Sequence, residues 1–261
     1  MVALLLYAYT QGIYASRRIA KACEERLDFM ALTAMARPDF RTISAFRKRH
    51  LAGLAGLFLQ VLALCRQAGL VQLGHVALDR TKIKANASKH KAMKAKDGFV
   101  QACNAQAAVD AHGQIAVACT LTNNAADQAE LGPLLDPIAA GLGGSPKEIS
   151  ADVGYCSEAN LETLAARGIR GYVATGRQKH PATGAAQRRG PLVDAMRTRL
   201  GRAGRRTRYR RRKQTVEPVI GPIKQARGFR QFLRRGLAKV SAEWALICTA
   251  HNLTKLVRVT G

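Results

Sequence analysis

Acidic side chains are scarce in this chain: 17 Asp and Glu stand against 42 Lys and Arg over 261 residues, a formal charge of +25. A compact fold with that imbalance repels itself unless an anion offsets the charge, which points to a nucleic-acid partner before any motif is read. Other absences narrow the class. No two of the six cysteines (Cys23, Cys65, Cys103, Cys119, Cys156, Cys248) form a Cys-x-x-Cys pair, so neither a zinc site nor a disulfide framework is expected, and the thiols read as reduced. The histidines lack ligand spacing as well. The most apolar window, Leu51 to Cys65, is interrupted by Gly53, Gly56 and Gln60 and falls short of the roughly 20 residues that span a bilayer. The opening run Val2 to Leu6 is shorter and has no basic leader, which argues against a secretion signal. The expectation is a cytoplasmic, nucleoid-associated protein with no membrane partner. No internal repeat is present.

What the chain does have is clustered charge and enough apolar residues, 48%, for one large domain or two small ones. Residues 197–213 hold ten basic side chains and no acid. Most such runs are solvated faces or tails. Here apolar and turn-forming residues resume on both sides and Tyr209 interrupts the run, which favours a phosphate-binding segment.

Residues 1–74 read as helical, a DNA-docking bundle or a plain one with a charged exterior, with Thr42 or Ser44 capping the helix that carries Phe46. From His75 the apolar period changes from 3.6 to 2. HVALDRTKI, AQAAVDA and QIAVACTLT read as three strands, the last two joined at His112-Gly113. A helix-like segment from Ala126 toward Ala140 follows, then a strand in KEISAD. A helix capped by Ser157 and stopped at Gly168 leads to a strand in RGYVAT. Three strands, helix, strand, helix, strand, helices is the order of an α/β, RNase H-like mixed sheet with flanking helices. Residues 75–261 would form it, with a mobile loop at 176–190 and a last amphipathic helix carrying Val240, Trp244, Ile247, His251 and Leu253.

Three acids stand out. Asp79 and Asp152 each close an apolar, strand-like run, and Glu217 follows the most basic stretch. Two-metal phosphoryl transfer needs hard oxygen ligands to clamp the attacking and leaving oxygens, and Mg²⁺ prefers carboxylates and water. In an RNase H-like sheet the first and fourth strands are neighbours, so the two aspartates would meet there, with Glu217 supplied by a later helix. Each acid also has a plain reading. Asp79 is then a strand-end turn acid, Asp152 an Asx turn before Gly154, and Glu217 an N-cap before Pro218 at a first helical position. Asp110 and Asp127 are rival acids, Asp110 turn-like and Asp127 in a Thr-Asn-Asn loop.

Beyond the three acids, the chain resembles the DDE transposases of bacterial insertion sequences, in the group where Tyr, Arg, Glu and Lys recur around the third acid. The resemblance rests on LLLYAYTQGIYASRRI, PDFRTISAFRKRH, LDRTKIKANASKHKAM, GFVQACNAQAAVD, TNNAADQ, SADVGYCSEANL, VATGRQKH, RKQTVEP, IKQARGFRQFLRRGL and EWALICTAHNLTKL, in that order. It implies that Asp79, Asp152 and Glu217 bind two Mg²⁺ ions, for which Mn²⁺ can substitute. It implies that the protein cleaves and joins double-stranded DNA at element ends and target, self-associated in a synaptic complex. Tyr209, Arg212 and Lys224 would touch the transferred end. Arg205, Arg206, Arg210, Arg211, Lys213 and Arg227 would add phosphate contacts.

Departures from the family pattern point to a shortened, defective copy. The family pattern usually extends upstream of Met1 and carries a charged helical segment where Met93 here runs into Lys94. Arg80 replaces a usual Gly, Cys103 a Tyr and Ile220 a Phe. Pro222 stands where a helix starting at Pro218 needs an amide, a kink worth about 3 kcal/mol. Arg212 is also one residue farther from Glu217 than in the commonest signature. The alternatives are a catalytically inactive DNA-binding remnant and an RNase H-like nuclease without strand transfer.

Overall fold

A computed structural model describes the chain apart from residues 86–91, 96–97, 125–127, 177–189 and 261, with backbone alone for 92–95, 98–100, 203–207 and 260. The loop read at 176–190 and the rival Asp127 therefore lie outside the described residues, except for Gly176 and Gly190 at the loop's ends.

Five helices come first: α1 Val2–Thr10, α2 Ser16–Glu25, α3 Leu27–Leu32, α4 Phe40–Arg49 and α5 Leu51–Gln67. The cap of α4 is Asp39, not Thr42 or Ser44. Its carboxylate accepts the Arg41 amide at 2.8 Å, and an acid at the N-terminus with Arg47, Lys48 and Arg49 in the last turn matches both ends of the helix dipole. Leu4, Leu5, Ala8, Ile19, Phe29, Ile43 and Leu54 close a small core. Tyr9 from α1 and Phe58, Val61, Leu62 and Cys65 from α5 reach instead into the main core.

That main core is built on β1 His75–Lys84, β2 Ala92–Ala95, β3 Gly98–Asp110, β4 Ala116–Thr122, β5 Glu148–Ala151 and β6 Arg170–Val173. The helices α6 Leu131–Leu142 and α7 Glu158–Ala166 connect β4 to β5 and β5 to β6. The strands run β4-β3-β1-β5-β6; β1 and β4 are antiparallel to β3, and β1, β5 and β6 are parallel. This is the RNase H-like mixed sheet read from the sequence. β2 was not foreseen. It pairs the start of β3 from Ala92↔Gln101 to Ala95↔Gly98, so paired backbone spans the junction where the family pattern carries a longer segment.

Local chemistry explains the joints. Asp110 is fully buried and accepts the Leu73 amide at 2.8 Å and the His112 amide at 2.9 Å, which fixes the β3–β4 turn. Gly113 is required there, because a Cβ would stand 2.4 Å from the Leu70 carbonyl oxygen. Ser157 caps α7 through the Asn160 amide, and Gly168 follows it at φ +66°.

The C-terminal third is α8 Pro191–Gly201, α9 Ala203–Lys224 and α10 Leu237–Thr260. The basic stretch is helical, shared between α8 and α9. Pro218 does not start a helix: α9 begins at Ala203 and runs through both Pro218 and Pro222. Its buried face of Arg212, Thr215, Val216, Val219 and Ile223 outweighs the local preference of proline. The Gln214 carbonyl, which residue 218 has no amide to satisfy, accepts from Gln114 Nε2 at 3.4 Å. α10 packs on α5 and β4. Its buried Asn252 both accepts from the Ala116 amide and donates to the Ala116 carbonyl, each at 2.9 Å, as a paired strand would. Among the described residues no single helix is long and apolar enough to cross a membrane.

Glu243 on α10 is buried, and its Oε2 accepts the Leu233 amide at 3.1 Å. Burial pushes its carboxyl up to about 7, although Arg234 and Arg47 pull it down. A folded-state value above the unfolded one means the stability it confers is complete below about pH 4.5 and is lost as pH rises through about 7. The loss is on the order of 3 kcal/mol. Urea unfolding of Glu243→Gln and the parent at pH 5 and pH 8 should show the parent losing more; parallel profiles would contradict this.

Candidate active site

Parallel pairing of β1 with β5 sets Ala77 level with Ser150. Two residues farther along each direction are Asp79 and Asp152, so the two side chains leave the same face of the sheet. Asp152 directly follows the end of β5, whereas Asp79 does not close its strand as the sequence suggested, because pairing with β3 carries β1 through Asp79↔Ala107 and on to Lys84. Asp152 precedes a short helical turn at Val153–Tyr155 but makes no capping bond with its side chain. Its carboxylate is not consumed by an Asx turn. Asp110, the rival acid, spends both oxygens on backbone amides and is structural.

α9 covers that face. Arg212 Nη1 lies 3.0 Å from Asp79 Oδ1, and the Arg80 amide donates to the same oxygen at 2.9 Å. Burial pushes the Asp79 carboxyl up and the nearby Asp152 charge adds to this, while Arg212 and the Arg80 amide pull it back. Burial works against the Arg212 charge too, but Asp79, Tyr209 and Asp152 together outweigh it. The Arg212 guanidinium stands 5.9 Å from the centre of the Tyr209 ring. Asp79, Asp152, Tyr209 and Arg212 thus form one cluster, held by the middle of β1, the end of β5 and one face of α9.

Glu217 lies on the same helix but does not join them. A side chain four residues after Arg212 would share its face, and that residue is Val216, fully buried. Glu217 is one residue on, about 140° round the helix from Arg212, and is exposed. Among the described residues no three His, Cys, Asp or Glu side chains gather closely enough to hold a metal ion. Lys224, farther along α9, donates from Nζ to Thr81 Oγ1 at 2.9 Å, beside the acid pair on β1.

The remaining basic residues divide. Arg210, Arg211 and Lys213 are exposed on α9. Arg227 turns inward, donating to Thr254 Oγ1 at 2.7 Å, where burial lowers its pKa. The side chains of Arg205 and Arg206 lie outside the described residues.

The sequence reading missed a second polar group on this face. His75 and Glu148 stand level at the starts of β1 and β5, four residues before Asp79 and Asp152. His75 bonds Ser150 Oγ through Nε2 at 2.9 Å and Glu148 Oε2 through Nδ1 at 3.4 Å. Arg208 Nη1 reaches Glu148 Oε2 at 2.7 Å, and Arg170 Nη1 lies 3.6 Å from Oε1. The signal was available in the spacing: His75-x₃-Asp79 and Glu148-x₃-Asp152 fall on one face of period-2 strands.

Two family models match the chain, one described as a transposase DDE domain over residues 72–253 and one described as a transposase domain over residues 1–49. No curated protein matches it.

The cluster makes a directional prediction. Arg212→Met should raise the Asp79 carboxyl pKa further and Asp152→Asn should lower it, read from side-chain carboxyl ¹³C shifts against pH. Asp79 shifts that ignore both substitutions would contradict the geometry.

Proposed function

Since the chain belongs to the DDE transposases, whose domain model spans more than half of it, we propose that it cleaves DNA at the ends of an insertion sequence in a reaction dependent on Mg²⁺. The observation that carries this reading is the nearness of two carboxylates, each two residues beyond the Ala77–Ser150 pair of adjacent parallel strands, with the Asp152 charge acting on Asp79. Their chemistry fits a hard cation. Both are oxygen donors, and the burial that disfavours charge on Asp79 is relieved by a neighbouring positive ion. Ions held there would polarise the phosphoryl oxygen and lower the pKa of the attacking water.

The chain's own residues account for the rest. Arg212 offsets the Asp79 charge, and would be available to a DNA phosphate if a cation offset that charge instead. Tyr209 offers a ring for a base freed at the cut end. Lys224, Lys213, Arg210 and Arg211, with Arg205 and Arg206, neutralise the backbone. Arg227 contributes through folding, by tying the loop after α9 to α10. Water attacks the scissile phosphorus in line, the bond to the 3′-oxygen breaks, and that oxygen takes a proton. In strand transfer the freed 3′-hydroxyl loses its proton and attacks a target phosphorus, the bond from that phosphorus to the target's own 3′-oxygen breaks, and that oxygen takes up a proton. This step needs a synaptic complex of several copies at the nucleoid.

Glu217 separates this reading from its main rival. As third ligand it must swing from solvent toward the acids. Pro218 and Pro222 each remove one helical hydrogen bond beyond it, which lowers the cost of a local rearrangement. A remnant that binds DNA without cutting is the second reading, favoured by the exposure of Glu217 and by Arg212 resting on Asp79.

With Glu217 turned to solvent, this shortened copy should nick supercoiled DNA slowly in Mn²⁺ and stop before strand transfer, yielding no joined products. Asp152→Asn, which leaves the Asp79–Arg212 ion pair in place, should abolish nicking while leaving DNA affinity within about twofold. Binding with no metal-dependent nicking in either protein would favour the remnant.

A further inference from the structure

At the opposite end of the same sheet face, where β1 and β5 begin, a cleft of about 690 Å³ opens between the sheet and α9. Lys147, Arg170, Arg208 and Arg211 line it, together with the acids Asp110 and Glu148. Both acids are already engaged by the protein. Asp110 accepts two backbone amides. Glu148, mostly buried, receives Arg208, Arg170 and His75, and the Tyr172 hydroxyl at 3.4 Å.

The cations are not used up in the same way. A guanidinium carries five N–H donors, and Arg208 and Arg170 each direct one nitrogen at Glu148 while their side chains stay 43% and 58% exposed. Glu148 therefore acts as a buried anchor that holds two guanidiniums at the cleft mouth. Lys147 and Arg211 are exposed and have no side-chain partner among the described residues. The cleft offers an anion a set of positioned donors, and its four cations outnumber its two acids.

We propose that this cleft is a second DNA site, which holds the phosphodiester backbone of the duplex engaged at Asp79 and Asp152. The proposal rests on the transposase reading. His75 and Asp79 are four strand residues apart, about 13 Å at 3.3 Å per residue. That distance is covered by about four nucleotides of one strand at 3.4 Å each, so a single duplex lying along α9 reaches both ends of the face.

The test is the salt dependence of duplex DNA binding by fluorescence anisotropy, with the full chain and no metal added. Every phosphate that the protein no longer neutralises lowers the log–log slope by about 0.9, so Lys147→Ala, which leaves α9 unchanged, should flatten it by about that amount. Lys147→Arg should restore it. An unchanged slope in Lys147→Ala would overturn the proposal. So would inorganic pyrophosphate protecting the cleft from lysine acetylation at Lys147 while duplex DNA gives no protection, which would mark a small-anion site. Because binding alone is read, failure of the cutting chemistry would leave this result intact, and the two failures are distinguishable.

Discussion

The position of α9 on the sheet is set by an ion pair between an acid in the middle of β1 and a helix arginine, Asp79 with Arg212. Asp79 is three-quarters withdrawn from water and Arg212 more so. Neither charge is tolerated at that depth alone, and removing one member of such a pair costs far more than the pair itself contributes. With Arg212 fixed there, Lys224 reaches Thr81 farther along β1, and Arg208 reaches Glu148 at the start of β5. One helix is thereby stitched along the whole length of the acidic face. Thr215, Val216, Val219 and Ile223 fill the space between these polar anchors.

The same constraint decides where Glu217 goes. Helical geometry gives each angular position to one side chain per turn, and the position that would join Arg212 over the acids belongs to Val216. The extra residue between Arg212 and Glu217, legible in the sequence as a departure from the family pattern, therefore has a rotational meaning. It turns the third acid out to solvent while Tyr209 and Lys224 keep their places beside the pair.

Much of the fold was legible from local pattern. The short apolar runs from His75 onward, Ser157 before its helix and Gly168 after it specify local structure without tertiary help. The alternation expected of the strands is nevertheless absent: β5 is buried throughout and β1 begins with four buried residues, because helices cover both faces of the sheet. Asp79 and Asp152 could be placed on neighbouring strands from strand order alone. What escaped the sequence depended on tertiary contacts. Pro218 reads as a helix start, yet packing upstream carries α9 through it. The cap of α4 went to Asp39, because the helix begins one residue after it rather than at the first apolar run. β2 has a lysine and two alanines among its four residues and little strand propensity, and it forms only by pairing with β3. Arg227 reads as one more phosphate contact, but the hydroxyl of Thr254 draws it inward.

Charge follows the same division. The inner face of α9 neutralises acids of the sheet, and its outer face, with Arg210, Arg211 and Lys213, remains open to an external polyanion. The central claim is that Asp79 and Asp152 form a metal-competent pair that lacks only a correctly turned third carboxylate. Metal-dependent nicking by Val216→Glu combined with Glu217→Gln tests it most directly. Moving the acid by one residue should raise the Mn²⁺-dependent rate at least tenfold over the parent, with the gain lost on adding Asp79→Asn. A folded double variant that nicks no faster than Glu217→Gln alone would contradict the account.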